Sequence, residues 1–226
     1  QGEVRVKLSF SGVNPSDTKR RVGFGGQKMA YPAIVPHSDG SGVIDQVGTG
    51  VPKNRIGERV WIYCGQWERA HGTAADYISI RGNHAITLPN NIELMSGACL
   101  GIPAVTAHRA LFSDGPIKGL TVLVTGGAGA VGNYAIQLAK WGGAERVITT
   151  CSSPEKENQA KAAGADLVIN YKKEDVSAKI MDATDGQGVD RIVEVAFGVN
   201  LPSTVALLKD NGIISAYASD IEPTPI

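Results

Sequence analysis

Thr121-Val122-Leu123-Val124-Thr125-Gly126-Gly127-Ala128-Gly129-Ala130-Val131-Gly132 decides the fold. A short apolar run enters a glycine cluster, and helical periodicity begins at Ala130. Gly127, Gly129 and Gly132 have the G-x-G-x-x-G spacing, a weak signal alone and a much stronger one between a strand and a helix. In such a turn the first glycine permits the tight bend and the second lets backbone approach a pyrophosphate. The third lets the helix pack against the strand. The free amides at the helix start, around Ala130, Val131 and Gly132, and the positive end of the helix dipole suit phosphate oxygens. The residues therefore predict a dinucleotide phosphate site; the alternative is a glycine-rich turn with no ligand.

C-terminal to this turn the same texture repeats. Apolar strands are expected at Thr121–Thr125, Arg146–Thr150, Asp166–Asn170, Arg191–Val195 and Gly212–Tyr217. Helical stretches are expected at Ala130–Lys140, Pro154–Ala163, Val176–Ala183 and Pro202–Leu208. Doubly buried strands alternating with helices indicate a parallel sheet of βαβ units. N-terminal to the turn the texture differs. Val4–Phe10, Gly42–Val47, Arg59–Tyr63, Ala75–Ile80 and Ala85–Leu88 are short runs separated by Gly, Pro, Asn and Asp, which reads as an all-β region. Two domains are expected, residues 1–103 and 104–226. The first residues read as a strand already under way. The last, Pro223 to Ile226, follow the fifth strand of a fold that usually has six, so both ends look cut.

Composition narrows the function. The 226 residues are 42% hydrophobic and 19% charged, enough apolar content for packed cores. Lys plus Arg and Asp plus Glu both number 22, so no net field steers the chain to nucleic acid or an anionic membrane. No run approaches the length of a membrane span, and no signal peptide opens the sequence. Three scattered cysteines, Cys64, Cys99 and Cys151, fit a reducing, cytoplasmic compartment better than a disulfide framework.

The second strand of the parallel sheet chooses the cofactor. An NAD site wants a carboxylate about twenty residues beyond the glycines, for the ribose 2′-hydroxyl. Cys151-Ser152-Ser153 stands there instead, with Lys156 close behind. A serine and a cation suit a 2′-phosphate, which an Asp would repel, so NADPH is expected. Equally, Ser152-Ser153-Pro154 can cap a helix and Lys156 can be a solvated charge, and both readings can hold together.

Family resemblance covers essentially the whole chain. Gly12-Val13-Asn14-Pro15, Ser38-Asp39-Gly40-Ser41-Gly42-Val43-Ile44, Gly101 to Leu111, the glycine turn, Gly164-Ala165-Asp166, Val168 to Tyr171 and Gly188-Val189-Asp190 resemble the zeta-crystallin-like quinone oxidoreductases. These are medium-chain dehydrogenase/reductases without zinc. The resemblance implies a GroES-like, partly barrel-shaped β domain joined to a Rossmann domain, an active site in the cleft between them, and a homo-oligomer, dimer or tetramer. Zinc-dependent relatives carry Cys at the Asn14 position and Gly-His-Glu at His37-Ser38-Asp39, so the zinc-ligand positions here hold Asn14, Ser38 and Ile102. His71, His84 and His108 show no ligand spacing.

The resemblance also implies roles. Asn14 and Thr106 approach the nicotinamide end; Asn14 could equally be a turn residue before Pro15. Lys156 and Tyr171 flank the adenosine 2′-phosphate, and Ala196 and Phe197 meet the nicotinamide ribose, although Tyr171 could cover a sheet edge and Phe197 belong to the core. Phe24 and Trp67 are candidates for lining the acceptor cleft, since Arg20 to Gln27 lacks the family's aromatic-rich loop. Asp39 matches an acid that, without zinc, need only brace the backbone. The expected reaction is NADPH-dependent quinone reduction by direct hydride transfer. Reduction of 2-alkenals or enoyl thioesters is the alternative within enzymes, and a cofactor-binding structural or RNA-binding crystallin-like role is the alternative outside them.

Overall fold

A computed structural model describes residues 1–23 and 28–219. The chain forms two compact units, Gln1–Ile102 and Pro103–Ile226. Phe24 lies outside the described residues, as do Pro223 to Ile226.

The first unit carries β1 (Glu3–Gly12), α1 (Pro15–Arg21), β2 (Asp39–Val47), β3 (Arg59–Ile62), β4 (Tyr77–Arg81), β5 (Ala85–Thr87) and the short α2 (Leu94–Gly97). Its sheet has the order β4-β1-β2-β3-β5, and every pairing is antiparallel. Alternation sets the core: Val4 and Val6 of β1, Val60 and Ile62 of β3, and Ile78 and Ile80 of β4 all point to one face. A side chain buried this completely contributes about 2 kcal/mol by area. The sheet and its all-β texture are the GroES-like architecture expected. Helix α1 was not anticipated; Pro15 starts it, where a missing N–H costs nothing.

The second unit begins within α3 (Gly101–Phe112), at Pro103. Then come β6 (Thr121–Val124), α4 (Ala130–Trp141), β7 (Arg146–Cys151), α5 (Pro154–Ala162) and β8 (Leu167–Asn170). They are followed by α6 (Val176–Ala183), β9 (Val189–Glu194), α7 (Phe197–Leu207) and β10 (Leu208–Ala216). The sheet is wholly parallel, in the order β10-β9-β6-β7-β8. Counted from β6, that is strand order 3-2-1-4-5, the doubly wound arrangement. Its topological switch point lies between β6 and β9, where a ligand crevice forms at the carboxyl ends.

Both faces of this sheet are covered, as continuous apolar strands require. Val122, Val124, Val147 and Val193 pack with Leu111 of α3 and Ile136 of α4. Leu123, Ile148, Ile169 and Ile192 pack on the other face with Ile180 of α6 and Leu207 of α7.

Three sequence expectations shift. Helix α7 begins at Phe197 rather than Pro202, which lies inside it. Pro202 lacks a donor, and Ser203 Oγ and Thr204 Oγ1 donate to Asn200 O at 2.9 and 3.0 Å within the same turn. Strand β10 starts at Leu208, paired with Val189, and an irregularity separates that pair from Ile213–Arg191. Strand β9 is not fully apolar either: it buries Arg191 (2% exposed) and Glu194 (0%).

Candidate functional site

The glycine turn is built as a backbone cradle. Gly126, with φ 67°, makes the tight bend, one place before the first glycine of the motif. Its N–H donates to Thr150 Oγ1 (3.0 Å), and Gly127 N–H donates to Thr150 O (3.1 Å), tying the turn to β7. Gly127 serves packing instead: a Cβ there would collide with Thr149 Oγ1 and stand 2.7 Å from Ile136 Cδ1. A Cβ on Gly132 would lie 2.9 Å from Gly127 Cα, so this third glycine does let α4 close on the strand. Gly129 is the N-cap of α4 and supplies no side-chain cap. The first intrahelical bond is Asn133 N–H to Gly129 O (2.8 Å), so the amides of Ala130, Val131 and Gly132 precede it. These groups fit a pyrophosphate: a side-chain-free approach, helix-start donors that precede the first intrahelical bond and the positive dipole end.

Ser152 and Lys156 come together at the end of β7, with Lys156 Nζ donating to Ser152 Oγ at 3.1 Å. Ser153 caps α5, its Oγ accepting from Lys156 N–H at 3.4 Å. The helix-cap reading of this segment therefore holds. Tyr171 follows the neighbouring β8, an edge strand of the sheet; its N–H donates to Cys151 O (3.1 Å), and the residue is 53% exposed. Burial pushes the Cys151 thiol up, which disfavours the thiolate.

Across the switch point stands a group that sequence reasoning missed. Glu194 ends β9, and its Oε1 accepts from Thr125 Oγ1 (2.8 Å), Ala196 N–H (2.6 Å) and Asn200 Nδ2 (2.9 Å). Its Oε2 is buried without a hydrogen-bond partner among the described residues. The carboxylate thus joins the strand end before the glycine turn to the start of α7. Ala196 is the N-cap of that helix and Phe197, half-buried, its first residue. Burial, then the charge of Glu194, pushes the Tyr217 hydroxyl up. A charged residue inside an apolar strand was the available signal.

In the first unit Asn14 is buried (6% exposed) and donates from Nδ2 to Asp39 Oδ2 at 2.8 Å. It also caps α1, its N–H donating to Asp17 Oδ2 (2.8 Å). Asp39 is 1% exposed, and both its oxygens lie 2.9 Å from Ile102 N–H. Burial pushes its pKa up to about 6, against the opposing hydrogen bonds from Ile102 and Asn14. Close by, Ser11 Oγ pairs with His37 Nδ1 (2.8 Å) and with Thr73 Oγ1 (2.9 Å). His37 has φ 74°, a left-handed conformation at the position where zinc-dependent relatives carry glycine. Thr106 lies half-buried on α3, in the second unit, and Trp67 is 59% exposed after β3.

Zinc does not fit these residues. The positions that would ligate it hold an amide, a hydroxyl and an aliphatic side chain. Among the described residues no three His, Cys, Asp or Glu side chains gather as a metal site. Among the same residues no helix is long and apolar enough to cross a membrane.

Comparison with known proteins agrees with this architecture. Residues 1–90 match the family model of the alcohol dehydrogenase GroES-like domain, and residues 130–225 match that of the zinc-binding dehydrogenases. Rat quinone oxidoreductase is 34% identical over 226 residues, covering 99% of this chain and 67% of that protein. An Arabidopsis thaliana protein named NADPH-dependent alkenal/one oxidoreductase, chloroplastic, is 32% identical, covering 99% of this chain and 57% of its own. The crystal structure of Escherichia coli quinone oxidoreductase complexed with NADPH superposes with a TM-score of 0.82 at 26% identity, over 98% of this chain and 68% of that one. The chain spans about two thirds of the length of the quinone oxidoreductases it matches. On these grounds it belongs to the quinone oxidoreductase family of the medium-chain dehydrogenase/reductases, a family of oxidoreductase enzymes.

Proposed function

We propose that the protein reduces quinones with NADPH by direct hydride transfer, with no metal in the step. The observation that carries this reading is the pairing of a glycine cradle at the switch point with Ser152 and Lys156 after β7, where residues 151–153 include no carboxylate. Bound NADPH supplies a hydride from C4 of its nicotinamide, and the quinone takes that hydride and one proton from solvent to become the hydroquinone.

The chain's own residues bind and orient. The amides of Ala130, Val131 and Gly132 receive the pyrophosphate, and Gly127 and Gly132 keep the cradle closed against β6 and β7. Ser152 and Lys156 receive the 2′-phosphate, Lys156 as a cation and Ser152 as a hydroxyl donor, with Tyr171 beside them. Ala196 and Phe197, placed by Glu194, meet the nicotinamide ribose. Asn14 and Thr106 serve the nicotinamide and acceptor end. Asn14 has one amide hydrogen on Asp39, which leaves a second for a developing oxyanion.

The test is a panel of ortho-quinones, para-quinones and 2-alkenals, each with NADPH and with NADH, on the full-length protein. Quinone turnover with a clear NADPH preference is expected. Preference for NADH, or no oxidation of either nucleotide, would overturn the reading. The Arabidopsis relative favours a second reading, reduction of the activated C=C bond of alkenals, and the same panel separates the two.

A further inference from the structure

Asn14 has an amide whose two ends differ in chemistry but hardly in shape, so its partner decides which end faces outward. That partner is Asp39, which gives and takes little ground. Both Asp39 oxygens hold Ile102 N–H, and Thr73 Oγ1 donates to Asp39 O at 2.5 Å. A Cβ on Gly12 would stand 3.1 Å from Asp39 Cβ, and one on Gly101 would overlap the carboxylate. Packing thus fixes the acid, and the acid can fix the amide.

We propose that Asp39 is a positioning residue for the reaction: it holds the Asn14 amide nitrogen against its carboxylate and so sets which amide atoms Asn14 offers to the acceptor. This rests on the NADPH-dependent reductase reading above. An ionised carboxylate only accepts hydrogen bonds, so Nδ2 must face it. A protonated Asp39 can donate instead and no longer dictates that orientation; the capping-box contact from Asp17 N–H to the Asn14 side chain is then the amide's remaining constraint. The groups that face Asp39 are Asp17 of α1, which raises its pKa, and the Cys64 thiol after β3, itself raised chiefly by burial. His37 stands two residues before it, held by Ser11. With its pKa pushed up to about 6, Asp39 changes charge within an accessible pH range.

Steady-state kinetics on the full-length protein test this with NADPH and the best quinone of the panel. Asp39→Asn removes the obligate acceptor at nearly constant volume and is expected to lower kcat about tenfold while leaving the KM for NADPH near wild type. In an Asn14→Ala background the same change should lower kcat no further, because the group being positioned is gone. Equal losses in both backgrounds overturn the role, as does a kcat for Asp39→Asn within about twofold of wild type.

A second measurement needs no Asp39 variant. Wild-type kcat should fall as pH drops through about 6, and Asn14→Ala should lack that inflection. An identical inflection in both proteins overturns the proposal. Absence of turnover in wild type overturns the reductase reading and this role together; normal wild-type turnover with an unaffected Asp39→Asn overturns this role alone.

Discussion

The glycine turn after β6 and the Asn14–Asp39 pair work by opposite means. The turn is built of backbone, and what suits it to the proposed pyrophosphate is what is missing: Gly129 offers no side chain, and Gly127 and Gly132 leave no room for one. The pair works with side chains held dry, a carboxylate at 1% exposure and an amide at 6%. Backbone donors carry no proton that titrates near neutrality, so the turn should be indifferent to pH and intolerant of bulk. The fold around the buried acid should tolerate isosteric change, while its function should be sensitive to charge and pH. Site construction of the first kind leaves a spacing in the sequence; the second kind leaves only residue types.

The widest separation between the two regions should come from Gly132→Val. A Cβ there meets Gly126 C and Gly127 Cα at 2.9 Å, both backbone, so the cradle must open. NADPH affinity by calorimetry is expected to fall about a thousandfold, far more than any change at Asn14 produces. Affinity within about tenfold of wild type would break the assignment of the pyrophosphate to this turn.

Stability against pH probes the other region. The folded pKa of Asp39 is raised, from 3.8 to about 6, so the native state holds the proton more tightly than the unfolded chain. Asp39 therefore favours the fold below about pH 4, and that contribution is lost as pH rises through about 6. At about 1.4 kcal/mol per unit the full loss approaches 3 kcal/mol. Urea unfolding of wild type and Asp39→Asn between these limits should show their stability difference drifting by that order in favour of the variant as pH rises. A constant difference would mean Asp39 does not titrate abnormally.

Asn14→Ala sharpens the contrast within function. Loss of one oxyanion donor costs about a hundredfold in turnover, whereas nucleotide affinity should hold. Unchanged turnover would leave Asn14 only its place at the start of α1. The smallest effect is expected from Lys156→Ala. Lys156 is exposed, and its partner Ser152 remains, so the NADPH-to-NADH affinity ratio should fall by about tenfold, measured at low ionic strength. A ratio that does not move would make Lys156 a solvated charge and return the 2′-phosphate to other groups.

Much of the architecture was legible because local patterns carried it. Strand alternation in Val4–Phe10, doubly apolar strands after Thr121, and Pro154 after two serines all report the environment of their own segment. Helix α3 has no counterpart among the expected helices: it opens on Gly101 and carries Pro103 in its first turn, where a missing N–H costs nothing. Pro202 misled in the other direction: it reads as a first helical residue, and α7 absorbs it in its second turn.

The sequence by itself determined the parallel sheet, the glycine turn at Gly127 to Gly132, the lack of a carboxylate at residues 151–153 and the absence of zinc-ligand residue types at Asn14, Ser38 and Ile102. Each of these depends on neighbours in the chain or on what a side chain is made of. Only the tertiary structure decided that Gly126 rather than Gly127 makes the bend, that Glu194 clamps Thr125 to Asn200, and that Asp39 faces Asn14. The contacts of Asp39 with Asn14 and of Glu194 with Thr125 join residues 25 and 69 positions apart, and their strength comes from exclusion of water. Burial is a property of the packed molecule, which no local stretch of residues encodes.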